Sequence, residues 1–195
     1  MSSKFDKMYY FGGVYEDYDQ FLDFPRMAEG LIANYDFESF LDIGCGCGNL
    51  VKEVKKQLDE KHNKECDVQG VDVSAFAVEK ADEQYVQLAD CKTLPFKENQ
   101  FDLVYILGTY GYLENEQEIQ KAMKEAYRVS SGLIVFEDVY NTPDASSDDF
   151  DPHRVWFLNK NGWFYTWKKI LKENDEIKFN NAFREEIVIT KNYEA

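Results

Sequence analysis

The chain has 195 residues, which is enough for one α/β domain and leaves little for a second. Hydrophobic residues make up 44% and charged residues 30%, a composition typical of a soluble globular protein rather than a disordered one. The formal net charge of -15 argues against DNA, RNA or an anionic membrane surface as partners, because binding to phosphates needs a basic surface.

The sequence contains no apolar run of about 18 residues and no apolar signal core near its start. We therefore expect a cytoplasmic protein with no membrane span. Four cysteines occur without a C-x-x-C pair, which favours reduced thiols and predicts neither a disulfide nor a metal site. They are Cys45, Cys47, Cys66 and Cys91.

The first 25 or so residues, which we call the aromatic cap, are rich in tyrosine and phenylalanine. One interpretation is an amphipathic segment that packs its rings on the domain. The other is a lid whose rings exclude water from a binding site and stack on a cationic ligand. A helix is predicted for residues 25–35, because Met27, Ala28, Leu31 and Ile32 share one face and Pro25 suits a first turn.

A glycine-rich stretch follows at residues 40–50. An apolar run ending in Asp42 predicts a buried parallel strand, and the glycines at 44, 46 and 48 predict a tight turn into a helix. The spacing is G-x-G-x-G, which differs from the G-x-G-x-x-G of dinucleotide-binding proteins. An acid two residues before the first glycine disfavours a pyrophosphate and favours a cationic or hydroxyl-bearing ligand.

Asp42, Gly44, Gly46 and Gly48 together resemble the first motif of the class I S-adenosylmethionine (SAM)-dependent methyltransferases. The resemblance implies that these residues bind SAM and that S-adenosylhomocysteine is the product. It also implies that Arg26 reaches the carboxylate of SAM, as an arginine does at this place in some similar enzymes; the alternative is a surface residue.

The next two strand ends carry further acids. Asp72 ends the predicted strand at residues 68–73, where it can accept hydrogen bonds from both ribose hydroxyls. After a third strand at residues 85–88, Asp90 and Cys91 resemble the third motif of the family, which implies that they contact adenine. Val73 and Leu107, at the ends of the second and fourth strands, are assigned to the cofactor site on the same resemblance.

Acceptor chemistry in the resembling enzymes lies after the fourth strand, where this chain has Tyr110 and Tyr112. These tyrosines either position a substrate or pack in the core. The long polar segment at residues 141–152 leads to His153. This histidine is the predicted general base, because its ordinary pKa suits proton removal near neutrality; the alternative is a residue that anchors the loop.

The predicted fold is α/β: a doubly wound, mostly parallel sheet of seven strands with one antiparallel strand, covered by helices on both faces in three layers. We predict a single domain over residues 1–195. The predicted activity is methylation of a small molecule, at a hydroxyl group of a sugar or another metabolite. The alternatives are a non-catalytic SAM-binding partner protein and an NAD-dependent oxidoreductase.

Overall fold

A computed structural model describes residues 4–138, 151–181 and 185–192. The helices within these ranges are α1 (Lys7–Tyr10), α2 (Phe24–Asn34), α3 (Asn49–His62), α4 (Ala75–Ala81), α5 (Glu116–Val129) and α6 (Lys160–Lys168). Two short 3₁₀ turns cover Tyr18–Gln20 and Tyr110–Tyr112. The strands are β1 (Ser39–Ile43), β2 (Asp67–Asp72), β3 (Val86–Leu88), β4 (Phe101–Leu107), β5 (Ser130–Glu137), β6 (Glu176–Asn180) and β7 (Glu186–Thr190).

The strands form one seven-stranded sheet in the order β3-β2-β1-β4-β5-β7-β6. The first five strands pair in parallel, and β7 is antiparallel to both β5 and β6. This arrangement confirms the predicted doubly wound fold, including the single antiparallel strand. Strand order reverses between β1 and β4, so the carboxyl ends of these strands meet at the crevice where ligands bind in such sheets.

The sheet has a hydrophobic core on each face, which makes the three layers. Helices α2, α3 and α4 pack on one face, and α5 and α6 pack on the other, where Trp163 and Trp167 are fully buried. The helix starts follow from local chemistry: the Asp23 side chain accepts from Arg26 N, and Asn115 accepts from Glu118 N. None of the described helices is long and apolar enough to cross a membrane.

The junction between α5 and β5 has no connecting loop, although it contains two serines and a glycine. Helix α5 ends at Val129 and β5 begins at Ser130. Ser130 already pairs with Phe101, and a register shift between Phe101 and Leu103 brings the two strands into alignment. The pairing partner thus overrides the turn tendency of the serines and the glycine.

Candidate cofactor and acceptor site

The glycine turn at residues 44–48 connects β1 to α3. The N–H groups of Gly44 and Cys45 both donate to the Val71 carbonyl, at 2.8 and 3.0 Å, which folds the turn back towards β2. Gly44 has a φ of +81°, and a Cβ built there would lie 2.1 Å from Oγ1 of Thr109. Only glycine fits at this position, because the backbone is left-handed and the end of β4 presses against it.

Asp72 holds the glycine turn from the neighbouring strand. Its carboxylate accepts from Gly46 N at 2.9 Å and from Ser74 N at 2.8 Å. Burial raises the pKa of Asp72, and these backbone hydrogen bonds oppose that rise because they favour the charged form. The predicted ribose-binding acid therefore lies beside the glycines, with its oxygens already oriented by the backbone.

Asp42 is buried at the end of β1 and faces other carboxylates. Burial raises its pKa to about 8, and the charges of Asp72 and Glu137 add to the rise. Glu137, at the end of β5, accepts a hydrogen bond of 2.5 Å from the Tyr105 hydroxyl. The sequence analysis missed Glu137, although an acid directly after the apolar run of β5 repeats the pattern of Asp42 and Asp72.

The end of β3 provides a more open part of the site. Asp90 is exposed and its carboxylate accepts from Lys92 N at 2.9 Å. Burial raises the pKa of the Cys91 thiol to about 12, which keeps it neutral. Val73 and Leu88 are more than half exposed at the ends of neighbouring strands, so apolar surface is available here for a flat ring.

Tyr18 of the aromatic cap lies directly on the glycine turn. A Cβ at Gly46 would be 2.5 Å from the Tyr18 hydroxyl oxygen, so glycine is also required by this ring. Burial raises the pKa of Tyr18, with smaller contributions from Asp72 and Asp42, which places the phenol close to both acids. The cap thus reaches the crevice between β1 and β2.

Polar contacts hold the cap in this place. Asn49 at the start of α3 donates to Asp19 at 3.0 Å, and Lys80 of α4 donates to the same carboxylate at 2.9 Å. The Ser74 hydroxyl donates to the Phe5 carbonyl at 2.6 Å. The cap therefore both packs on the domain and covers the crevice. Its action as a lid stays a prediction.

The two tyrosines after β4 have different environments. Tyr110 is fully buried and its hydroxyl donates to the Ala122 carbonyl of α5, so its assignment to the substrate site is wrong and the packing interpretation holds. Tyr112 is only partly buried and its hydroxyl donates to Asp151 at 2.7 Å. In this 3₁₀ segment, the ring of the first residue, Tyr110, lies in the core, and the ring of the third residue, Tyr112, faces the cap.

Tyr9, Tyr112, Asp151 and His153 form a group that we call the Asp151 cluster. One carboxylate oxygen of Asp151 accepts from Tyr9 at 2.9 Å and from Tyr112 at 2.7 Å, and the other accepts from His153 N at 2.8 Å. The His153 ring lies 5.8 Å from the Tyr9 ring and 6.5 Å from the Phe5 ring. The structure thus brings the predicted base next to the aromatic cap. Asp151 and Tyr9 were missed as site residues, although Asp151 precedes His153 by two positions.

Arg154 anchors this cluster to the sheet. Its guanidinium forms an ion pair with Asp138, directly after β5, and both side chains are almost fully buried. Asp138 also accepts from Gly111 N at 2.9 Å, and the Gly111 carbonyl accepts from Val155 N at 2.8 Å and from Trp156 N at 2.9 Å. The 151–156 segment is therefore fastened to the carboxyl ends of β4 and β5.

Two predictions on the site are not tested by the described residues. Arg26 is exposed, and the neighbouring Pro25 carbonyl accepts from Gln57 of α3. The ring of Phe24, the first residue of α2, lies 6.4 Å from the Tyr18 ring, so the assignment of Arg26 to the cofactor site stays a prediction. The predicted closing loop falls mostly on residues 139–150, which lie outside the described residues, so only its end from Asp151 onward is assessed.

The chemistry of the crevice fits SAM. This cofactor carries two cationic groups, a ribose diol and an adenine ring. The crevice offers buried carboxylates at Asp42, Asp72 and Glu137. The raised pKa values of Asp42 and Asp72 show that a positive charge would be favourable beside them. It also offers glycine backbone at residues 44–48 and apolar surface at Val73 and Leu88.

Comparisons with known proteins agree with this geometry. Residues 40–131 match a family model described as a methyltransferase domain. The sterol 4-C-methyltransferase strm-1 of Caenorhabditis elegans is 26% identical over 127 residues, which cover 59% of this chain and 35% of that protein. The chain therefore spans about a third of the length of this curated relative.

Solved structures share the fold at low sequence identity. A SAM-dependent methyltransferase from Archaeoglobus fulgidus has a TM-score of 0.66 at 16% identity, covering 90% of this chain and 96% of that one. The SAM-bound amino pentose methyltransferase CalS10 of Micromonospora echinaspora has a TM-score of 0.62 at 14% identity, covering 89% and 94%. The family-model match over residues 40–131, the sheet order and the acid–glycine turn together support a class I SAM-dependent methyltransferase with SAM as its cofactor.

Proposed function

We propose that this chain methylates a hydroxyl group of a small molecule, with His153 as the general base. The observation that carries the proposal is the position of the Asp151 cluster. Arg154 and Gly111 fasten it to the ends of β4 and β5, and Tyr9 connects it to the cap that covers the glycine turn. A methyl donor and a base would therefore face each other across one covered crevice.

The cofactor roles in this proposal follow the strand ends. Asp72 accepts hydrogen bonds from the ribose, Asp90 and Cys91 border the adenine, and the glycine turn borders the methionine portion once the Tyr18 ring moves off Gly46. Asp42 provides negative charge for the cationic groups. Val73 contributes apolar surface beside the adenine, and Leu107 lies at the β4 end of the same crevice.

A small acceptor is favoured by the cover and by the charge. The cap rings lie on the glycine turn and against Tyr112, so the crevice is covered rather than open to a polymer. The net charge of -15 opposes nucleic acid and anionic membrane surfaces as partners. We therefore propose a neutral or cationic metabolite as the acceptor.

A hydroxyl acceptor requires proton removal, and this requirement gives His153 its role. SAM supplies an electrophilic methyl group on its sulfonium sulfur. The acceptor oxygen forms the new bond to that methyl carbon while the carbon–sulfur bond breaks, and His153 takes the hydroxyl proton. The nematode relative is named for methylation at carbon. The proposal that the acceptor atom in this chain is oxygen therefore rests on His153 alone.

The test is transfer of labelled methyl from SAM to a panel of small hydroxyl, amine and carbon acceptors. With the best acceptor, His153→Ala should lower kcat by roughly 10²–10⁴-fold and leave the affinity for S-adenosylhomocysteine unchanged. His62→Ala is the matched control, because His62 is the other histidine and lies on α3 beside Glu38.

Three outcomes would revise the proposal. Wild-type turnover in His153→Ala would show that His153 is not the general base. Cofactor binding without transfer to any acceptor would favour the non-catalytic SAM-binding alternative. Binding of NAD in preference to SAM would favour the oxidoreductase.

A further inference from the structure

Asp151 is a buried carboxylate that the proposed mechanism does not use. It is 9% exposed, and its hydrogen bonds come from the Tyr9 and Tyr112 hydroxyls and from His153 N. All three donors are neutral. In the ranges that the structure describes, no lysine, arginine or histidine side chain forms an ion pair with it. A charge in such surroundings is costly unless a counterion approaches it.

The nearest cations of the chain have other partners. The Arg154 guanidinium is paired with Asp138 and lies 5.5 Å from the centroid of the Tyr112 ring. The Lys4 ammonium donates to the Tyr112 carbonyl at 3.0 Å and lies 5.2 Å from the Phe5 ring. These contacts show that the rings around the cluster attract cations, while the carboxylate itself is left with phenols.

The rings beside Asp151 come from three parts of the chain. Phe5 and Tyr9 belong to the cap and meet edge to face at 5.0 Å, and Phe5 meets Tyr112 at 5.3 Å. His153 completes the group from the other side. Ring faces with a carboxylate among them bind cationic amino groups, through cation–π attraction together with a charge-assisted hydrogen bond.

We propose that Asp151, with the rings of Phe5, Tyr9 and Tyr112, is a binding subsite for a cationic amino group of the acceptor. This inference rests on the proposed function and assigns the substrate class: a small amino alcohol or amino sugar that is held by its ammonium group. Asp151 binds the ammonium group and takes no proton from the reacting hydroxyl, because its Oδ2 already accepts hydrogen bonds from Tyr9 and Tyr112.

Ring contacts connect the subsite to the glycine turn. Tyr18 contacts Gly46, the Tyr18 and Tyr15 rings are 5.1 Å apart, and the Tyr15 and Tyr9 rings are 5.4 Å apart. A row of rings thus runs from the cofactor crevice to the Asp151 cluster. An acceptor held by its ammonium group at Asp151 directs its hydroxyl along this row towards the crevice.

Two isosteric probes test the proposal: 2-dimethylaminoethanol, which is cationic at neutral pH, and 3-methylbutan-1-ol, its neutral analogue. Binding is measured by NMR titration of the wild-type chain, with and without S-adenosylhomocysteine. We expect saturable binding of the cationic probe, at least about tenfold tighter than that of the neutral one. Asp151→Asn should remove this preference while the affinity for S-adenosylhomocysteine stays at the wild-type value.

Glu114→Gln is the matched control, because it removes one negative charge from an exposed residue near Tyr112 and should leave the preference intact. Tyr9→Phe keeps the ring and should weaken binding less than Asp151→Asn. Equal affinity for both probes in the wild-type chain, or an unchanged preference in Asp151→Asn, would overturn the subsite. Transfer of labelled methyl from SAM to the acceptor panel, measured separately, decides the proposed function, so the two failures are distinguishable.

Discussion

The glycine turn and the Asp151 cluster lie at the same edge of the sheet but are assembled differently. The turn takes its residues from one short stretch, and its nearest contacts are backbone hydrogen bonds to β2. The Asp151 cluster joins side chains that are 142 and 39 positions apart along the chain. Its position depends on one buried ion pair between Arg154 and Asp138.

Because of this difference, we expect mutations in the two regions to affect different measured properties. The glycine turn is held by many short-range contacts, so damage to the acceptor region should leave cofactor binding intact. The Asp151 cluster has few anchors, and its partners belong to segments that approach only in the folded chain. Variants in one region should therefore affect one measured property far more than the other.

Arg154→Ala should show the largest effect, because it leaves the buried Asp138 carboxylate without its partner. We expect the free energy of unfolding to fall by about 3–5 kcal/mol, measured by urea denaturation. Methyl transfer should be lost at temperatures where the variant is folded, while S-adenosylhomocysteine still binds. Lys169→Ala is the control: its ion pair with Glu116 is about half exposed and should contribute little to stability. Equal losses of transfer and cofactor affinity in Arg154→Ala would contradict the separation of the two regions.

Gly44→Ala should act in the opposite way, on the cofactor side. The added Cβ meets Thr109 at 2.1 Å in a left-handed backbone, so we expect a loss of about 2–4 kcal/mol in unfolding free energy and a clear loss of cofactor affinity. Gly108→Ala is the matched control, because Gly108 also has a positive φ, +58°, but nothing lies within 4 Å of a Cβ built there. It should cost about 1 kcal/mol, from backbone strain alone. Similar losses in both variants would show that the contact with Thr109 is unimportant.

Asp42→Asn separates stability from function, and near pH 4 its effect on stability should be the smallest of the three variants. Burial raises the folded-state pKa of Asp42 to about 8, so the folded state binds this proton more tightly than the unfolded state. Stability associated with Asp42 is therefore present at low pH and is lost as the pH rises towards 8. Asp42→Asn should raise the Tm at pH 9, where the buried charge is removed, and change it little at pH 4. The same variant should bind SAM more weakly, because the crevice loses a negative charge. A Tm difference that is independent of pH would contradict the raised pKa.

The sequence by itself determined the parts of the protein that depend on neighbouring residues. Apolar runs specified the strands, capping residues and periodicity specified α2, α4 and α5, and the acid–glycine spacing specified the turn and its family. Strand order followed from the resemblance and was confirmed. These features are local, or shared by all members of one fold, and so they can be recognised from one sequence.

Only the tertiary structure decided which side chains meet. It sent Tyr110 into the core and Tyr112 to Asp151, although the two are only two positions apart and have the same chemistry. It placed Glu137 near Asp42 and laid Tyr18 on Gly46. Such contacts depend on the direction of each side chain after distant segments pack together. A shift of one residue along a strand reverses the face on which a side chain lies. The sequence pattern alone therefore does not determine these contacts.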